Sequence, residues 1–399
     1  MKDYMEKLIN YTPVLTEYSE FHTAEAAGNI RAVTYSFPSF FKKEYETFAF
    51  IGFPENVQGK IPAVVLVHGG GGHAYAEWVR IWNARGYAAI AMDTEGYYPE
   101  SADWSALNPV GAVNFTHEIP ASFSKEGLCA SPVNDAMQSA GEPLENQWMF
   151  HAVAKVILAQ NILRSFENVE KVGVCGISWG SIITSVTLGY DPRFDFAVSI
   201  YGGGYQLENK GFCGDHFRKG RAEDKYLAEK RYNTVDTPVL FLCGDDDAAF
   251  SVDANSRSYE ALCDRNPLTR FSIVRDFVHG HVAGWQAPLS YLFADAVCRA
   301  NAEPILAWKT FPTGRDFSAE VEGNIQAAAA YYITKPITYG PRAGERANFQ
   351  DEAWKEIPCK LDKGRVCGAL PEEAYAYFVT AFSAQAGTEY GISTPLTLL

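Results

Sequence analysis

Four stretches of the chain hold residue types that could carry out acyl transfer, the attack of an oxygen nucleophile on a carbonyl carbon. Gly176-Ile177-Ser178-Trp179-Gly180 follows a short apolar run, 172–175, and precedes a helical pattern. In that setting a serine between glycines sits on a tight strand-to-helix bend that exposes its hydroxyl, and the glycines tolerate the crowding and strained angles of such a bend. His68-Gly69-Gly70-Gly71-Gly72 follows a second apolar run, 63–67. Its unhindered backbone N–H groups suit an oxygen that becomes negatively charged, where each well-aimed donor lowers the barrier by about 3–4 kcal/mol. Gly70 or Gly71, together with the N–H of Trp179, are the expected donors. A phosphate cradle is the other chemistry of such a loop, but the Lys-Ser/Thr ending it requires is missing.

A serine hydroxyl is a weak nucleophile unless a base takes its proton and an acid orients the base. The apolar run 239–242 leads into Cys243-Gly244-Asp245-Asp246-Asp247, where three carboxylates compete for the role of acid. Asp247 is preferred because Ala248-Ala249-Phe250 could close over a buried carboxylate; Asp246 is the fallback, and at least one of the three must be an ordinary solvated turn residue. The base is sought in Asp276-Phe277-Val278-His279-Gly280-His281, after the run 271–274. His279 is preferred because Gly280 leaves room for a turn that aims the imidazole inward, and His281 is the rival. A metal on His279, His281 and the aspartates is the competing chemistry, but His-x-His without a further spaced ligand set does not specify one. Neither a metal nor an organic cofactor is expected. His22, His68, His73, His117, His151 and His216 read first as structural.

These pieces need a scaffold. Continuous β-branched runs such as 63–67 are how strands buried on both faces read. Helical spacing over 76–84 (Trp78, Val79, Trp82) leads past Gly86 to the run 88–92, giving strand, helix, strand. Residues 146–166 carry a helical apolar stripe, 181–188 a second helix, 196–200 a strand and 254–263 a helix between the last two strands. Strands alternating with helices over some 250 residues predict an open, doubly wound, mostly parallel α/β sheet. Alternating residues in 30–35 and 45–51 predict antiparallel strands leading into it. An insertion around 94–143, rich in Pro, Gly, Ser and Asn, is too long for a plain connection and reads as a lid or substrate loop, with Tyr97, Tyr98, Trp104 and Phe115 as candidate pocket residues. From about 303 the spaced prolines and short alternating stretches predict a β-sandwich. The expected division is a catalytic domain over 1–302 and a smaller all-β domain over 303–399.

Composition removes whole classes of function. Lys and Arg total 34 against 48 Asp and Glu, so the net charge of −14 argues against a nucleic-acid partner. A hydrophobic fraction of 47% with 21% charged residues is that of an ordinary globular protein. No apolar run approaches the ~18 residues of a membrane span. Residues 1–7 alternate charged and apolar side chains where a secretory leader would be continuously apolar, so a cytoplasmic location is expected. The 8 cysteines show no Cys-x-x-Cys pair and are expected to be reduced, Cys359 and Cys367 included, with Cys175 and Cys243 serving as small buried hydrophobes.

Taken with residues 148–154 and Asp191-Pro192-Arg193-Phe194, the motifs at 68–72, 176–180 and 279–281 make residues 25–300 resemble the dienelactone hydrolase and acetylxylan-esterase-like branch of the α/β-hydrolase superfamily. The order Ser178, Asp247, His279 is that of α/β-hydrolases. Trp354, Ala369-Leu370-Pro371 and Ile392-Ser393-Thr394 resemble the immunoglobulin-like β-domain of some relatives. The resemblance implies a serine esterase that removes short acyl groups, such as acetyl, from a carbohydrate or other small-molecule ester. It keeps Asp247 as the acid although Gly244-Asp245-Asp246-Asp247 is more acidic than the usual turn, and it marks Ser181 as a departure where a second glycine is common. A prolyl-oligopeptidase-like peptidase ranks lower for want of a propeller repeat, and a degenerate hydrolase that binds carbohydrate is the reading from another class. Whether the chain forms a homo-oligomer stays open.

Overall fold

The computed structural model describes residues 1–17, 29–38, 45–56, 58–96, 98–99, 123–124, 132, 134–207, 209, 212–220, 224–334 and 354–399. The chain forms two compact units. One comprises residues 1–199, 219–237 and 280–282, the other 200–218, 238–279 and 283–399.

In the first unit the strands are β1 (Leu15–Glu17), β2 (Ile30–Ser36), β3 (Glu46–Gly52), β4 (Ile61–Val67), β5 (Ala88–Met92), a two-residue pair β6 (Tyr98–Pro99) and β7 (Phe123–Ser124), then β8 (Val169–Ile177) and β9 (Ala197–Ile200). The sheet runs β1-β2-β3-β5-β4-β8-β9. β4 is parallel to β5 and β8, while β1, β2 and β3 join antiparallel to one another and β3 antiparallel to β5. The run of β-branched residues places β4 where both faces are covered, and Val64 to Val67 are fully buried. Pro62 would cost a central strand one ladder donor; it sits at the register shift against β8, where that donor is not required. The alternation expected of residues 45–51 is absent from β3, which is buried from Thr47 to Gly52 because the helix Ala76–Ala84 also packs on it.

The helix Trp148–Arg164 is likewise more than a one-sided stripe. Every residue from Trp148 to Leu163 is buried. A helix apolar all round must be enclosed, and this one lies between the sheet and the helix Lys2–Ile9. Asn161 donates to the Leu8 and Tyr11 carbonyls at 2.7 and 2.6 Å, satisfying the end of that terminal helix. Arg193 reaches Asp191, Gln160, Asn161 and the Ile9 carbonyl, so one guanidinium ties the loop before β9 to both helices.

In the second unit β10 (Val239–Gly244) and β11 (Arg270–Val274) are parallel neighbours, with Gly244 opposite Val274. The helix Val252–Cys263 connects them, its first turn capped by Ser251. Among the described residues nine further strands follow: β12 (Ala307–Trp308), β13 (Asp316–Glu322), β14 (Ala327–Ile333), β15 (Lys355–Pro358), β16 (Lys360–Asp362), β17 (Arg365–Ala369), β18 (Ala376–Gln385), β19 (Thr388–Ser393) and β20 (Thr397–Leu398). They form the antiparallel sheets β12-β13-β17-β16 and β15-β14-β18-β19, with β20 on β18. β13 alternates exposed and buried residues along its whole length, the pattern of a strand with one wet face. Its Phe317 stacks on Tyr377 of β18 at 5.7 Å. The edge of β11 is covered in the same unit, where Ser393 accepts from the Ile273 N–H and Ser272 donates to the Gly391 carbonyl.

The expected class is observed: a mostly parallel sheet with helices, and separate antiparallel sheets toward the carboxyl end. Among the described residues no helix is long and apolar enough to cross a membrane.

Candidate active site

Ser178 stands between the end of β8 and the helix Trp179–Leu188 with φ +57° and ψ −119°, a region that side-chain-bearing residues avoid. Gly180 makes the bend feasible, because a Cβ there would lie 2.0 Å from the Val67 carbonyl oxygen of β4. Ser181 lies in the first turn of that helix. Its hydroxyl donates to the Ser178 carbonyl and is itself fully buried.

The glycine loop packs directly against this bend. A Cβ on Gly69 would meet the Ser178 Cβ at 2.9 Å, and one on Gly70 would meet the Trp179 ring at 2.5 Å. Only glycines allow so close an approach. Three side chains brace the loop. His68 bonds the Gly69 carbonyl through Nδ1 and accepts the Thr94 N–H on Nε2, His281 accepts the Gly69 N–H at 2.9 Å, and Glu95 accepts the Gly71 N–H at 3.2 Å. Glu95 also accepts from Asn134 at 3.0 Å. Burial pushes its carboxyl above the ordinary range, while nearby His68 and the Asn134 and Gly71 donors pull it back. Trp179 packs edge-on against Trp148, whose indole donates to the Thr94 carbonyl at 2.8 Å.

In the second unit the loops after β10 and β11 bring Asp247 and His279 together. Asp247 Oδ2 lies 2.7 Å from His279 Nδ1, and Asp247 Oδ1 accepts the Ala249 and Phe250 N–H groups at 2.8 and 3.1 Å. The carboxylate is 5% exposed, so the closure expected of Ala248-Ala249-Phe250 is present. Two rings stack on His279, Tyr201 at 4.4 Å and Phe250 at 5.7 Å. Stacked aromatic faces steady the orientation of the ring. Tyr201 is itself held in a strained conformation, φ +76°, by its N–H to Leu242, its hydroxyl to Val278 and its carbonyl to Asn255. The Cys213 and Cys243 thiols are pushed well up by burial and then by Asp247, so both stay protonated.

The three aspartates separate. Asp247 faces the histidine, Asp246 is exposed, and Asp245 is buried against Arg275. His279 pairs with Asp247 whereas His281 accepts the Gly69 N–H, so the two histidines meet different partners. No local pattern marked Glu95 or Tyr201 in advance, and Phe250 was marked for closing over Asp247 and not for stacking on His279. Glu95 and Tyr201 are distant in sequence from what they touch. Tyr97, Trp104, Phe115 and the side chain of Tyr98 lie outside the described residues, as do His22 and His117.

The dienelactone hydrolase family matches residues 48–308, a span that includes Ser178, Asp247 and His279. The chain belongs to the dienelactone hydrolase family. Like the family, it is a hydrolase. No curated protein matches the chain by sequence. Among solved structures, acetyl xylan esterase 1 from Thermoanaerobacterium sp. JW/SL YS485 is 17% identical with a TM-score of 0.47, covering 73% of this chain and 91% of that one. The acetyl xylan esterase from Paenibacillus sp. R4 is 13% identical with a TM-score of 0.48, covering 73% and 92%. The acylaminoacyl peptidase of Pyrococcus horikoshii is 16% identical with a TM-score of 0.48, covering 73% and 45%.

Proposed function

We propose that this dienelactone hydrolase family member is a serine esterase in which Ser178 is the nucleophile, His279 the base and Asp247 the acid that orients it. The observation that carries the proposal is the strained backbone of Ser178 packed onto the glycine loop, since a residue is kept at φ +57° only where something compensates for it. The Asp247–His279 pair supports the second half. With Nδ1–H directed at the carboxylate, the neutral imidazole keeps its basic lone pair on Nε2.

Nε2 takes the Ser178 proton as Oγ attacks the ester carbonyl. The oxyanion is held by backbone donors, the alcohol departs with the proton from His279, and water repeats the sequence to release the acid. Trp179 and Gly70 are the proposed donors. Trp179 opens a helix, where N–H groups lack intrahelical acceptors and the dipole favours negative charge. The Gly71 N–H, the other expected donor, is engaged by Glu95, which makes it part of the loop's bracing. The preference for short acyl groups, acetyl above all, on a carbohydrate or other small alcohol follows from the resemblance in sequence and from the indole that crowds Gly70.

The test is turnover of p-nitrophenyl acetate and of acetylated sugars, with fluorophosphonate labelling. The wild type is expected to turn over and take the label at Ser178, and Ser178→Ala to lose both with its fold intact. Activity that survives in Ser178→Ala, or a wild type that neither labels nor hydrolyses, refutes the reading. A panel preference for peptides over esters would move the protein to the peptidases.

A further inference from the structure

Asp245 lies two residues before the acid and reaches the same neighbouring loop. Its Oδ2 pairs with Arg275, its Oδ1 accepts the Asp276 N–H at 2.9 Å, and its own N–H donates to the Val274 carbonyl at 3.3 Å. The segment 244–247 after β10 and the segment 275–279 after β11 are thus bridged twice, once by Asp247 to His279 and once by Asp245 to Arg275 and Asp276. Asp276 takes a strained φ of +54° within this bridge, and Gly244 comes close to the Phe277 carbonyl.

The antiparallel sheets reach the second bridge in the same unit. Trp354, just ahead of β15, donates its indole N–H to the Asp245 carbonyl at 3.1 Å. The Arg275 guanidinium lies 5.4 Å from the ring of Tyr331 on β14. Trp354 and Tyr331 both pack on Phe378 of β18, at 4.8 and 5.1 Å, so the groups that touch Asp245 and Arg275 stand on one aromatic platform. Asp245 meets Arg275, the Asp276 N–H and the Trp354 indole. It acts on the base through the shape of the two loops.

We propose that Asp245 is a positioning residue: braced by Arg275 and by the Trp354 and Tyr331 of the antiparallel sheets, it fixes the loops after β10 and β11 so that Asp247 and His279 stay in register. The strands that follow residue 303 therefore serve the acid–base pair. This rests on the reading of His279 as base, although the geometry it describes is tested separately. Misplacement of a catalytic group by about 1 Å costs up to about a hundredfold in rate, and a second pair of anchors prevents such drift.

The experiment is a double-mutant cycle of Asp245→Ala with Asp247→Asn, read by kcat and KM on p-nitrophenyl acetate and by NMR titration of the His279 imidazole. Asp245→Ala is expected to lower kcat about ten- to a hundredfold with KM held within about twofold, and to lower the imidazole's titration midpoint, since the cation loses a well-placed carboxylate. On the Asp247→Asn background the same change is expected to do nothing further. Trp354→Phe keeps the ring and loses the donor. It is expected to shift both readouts in the same direction by less, and it decides the question if Asp245→Ala does not fold. Unchanged kcat and imidazole titration with only a lower Tm would reduce Asp245 to a structural brace, and losses that add in full would show that it acts independently of Asp247. If the wild type hydrolyses nothing, the esterase reading fails while the NMR arm still decides this one.

Discussion

Ser178 and the two histidines are where single side chains make sharp predictions. The backbone strain at Ser178 is worth about 1–3 kcal/mol, and the extra chain entropy of a glycine costs roughly 0.5–1 kcal/mol. Strain relief is the larger effect, so Ser178→Gly is expected to raise stability by about 1 kcal/mol while abolishing turnover. Chemical denaturation checks this, and a loss of stability would mean that the turn is not strained. His279→Ala is expected to lower kcat about ten-thousandfold, because base and imidazolium both vanish. His281→Ala releases the Gly69 N–H and removes the ring that packs on Tyr75, and is expected to cost about ten- to a hundredfold. Steady-state kinetics on both variants decides between them, and the reverse ranking would make His281 the base. The residues proposed as serine, acid and base could be named from their motifs because local turn chemistry demands particular residue types. The buttresses Glu95 and Tyr201 left no such mark, since any residue of the right size could in principle stand there.

Elements are held by fewer groups than their length suggests. Arg193 joins the loop before β9 to the helices Lys2–Ile9 and Trp148–Arg164, and its partner Asp191 is fully buried. The guanidinium is 29% exposed, so its charge is partly screened. Arg193→Ala nevertheless strands a buried carboxylate and is expected to destabilise by about 2–4 kcal/mol. Denaturant titration reads this directly, and addition of Asp191→Asn should recover part of the loss. A change within about 0.5 kcal/mol would show the pair to be ornamental. Periodicity located nearly every helix and strand of the parallel sheet, because burial on one or both faces writes itself into the apolar pattern. It misread how enclosed β3 and the helix Trp148–Arg164 are. Whether a second element covers the far face depends on residues distant in sequence.

For the whole molecule the clearest consequence is its response to acid. Burial holds His73 and His151 at about 4, below the ordinary 6.5. A base whose pKa is lowered by folding binds protons more readily when unfolded, so stability is complete above pH 6.5 and falls as the pH drops through 4. Each ring is expected to cost on the order of 3 kcal/mol over that window. Thermal melts from pH 7 to 4 should show the decline, and His73→Asn with His151→Gln should flatten it. A double variant that loses stability as steeply as the wild type would assign the acid response to carboxylates instead.

Residue types, their spacing and the run of apolar positions were enough to determine the fold class, the family resemblance and the residues proposed for the chemistry, because strands, bends and glycine loops are local structures with local chemical requirements. Tertiary structure alone separated the three aspartates, sent His279 to Asp247 and His281 to Gly69, engaged the Gly71 N–H with Glu95 and brought Trp354 onto Asp245. Those outcomes depend on contacts between segments tens to more than a hundred residues apart, and chain order carries no record of which of several like side chains will complete such a contact.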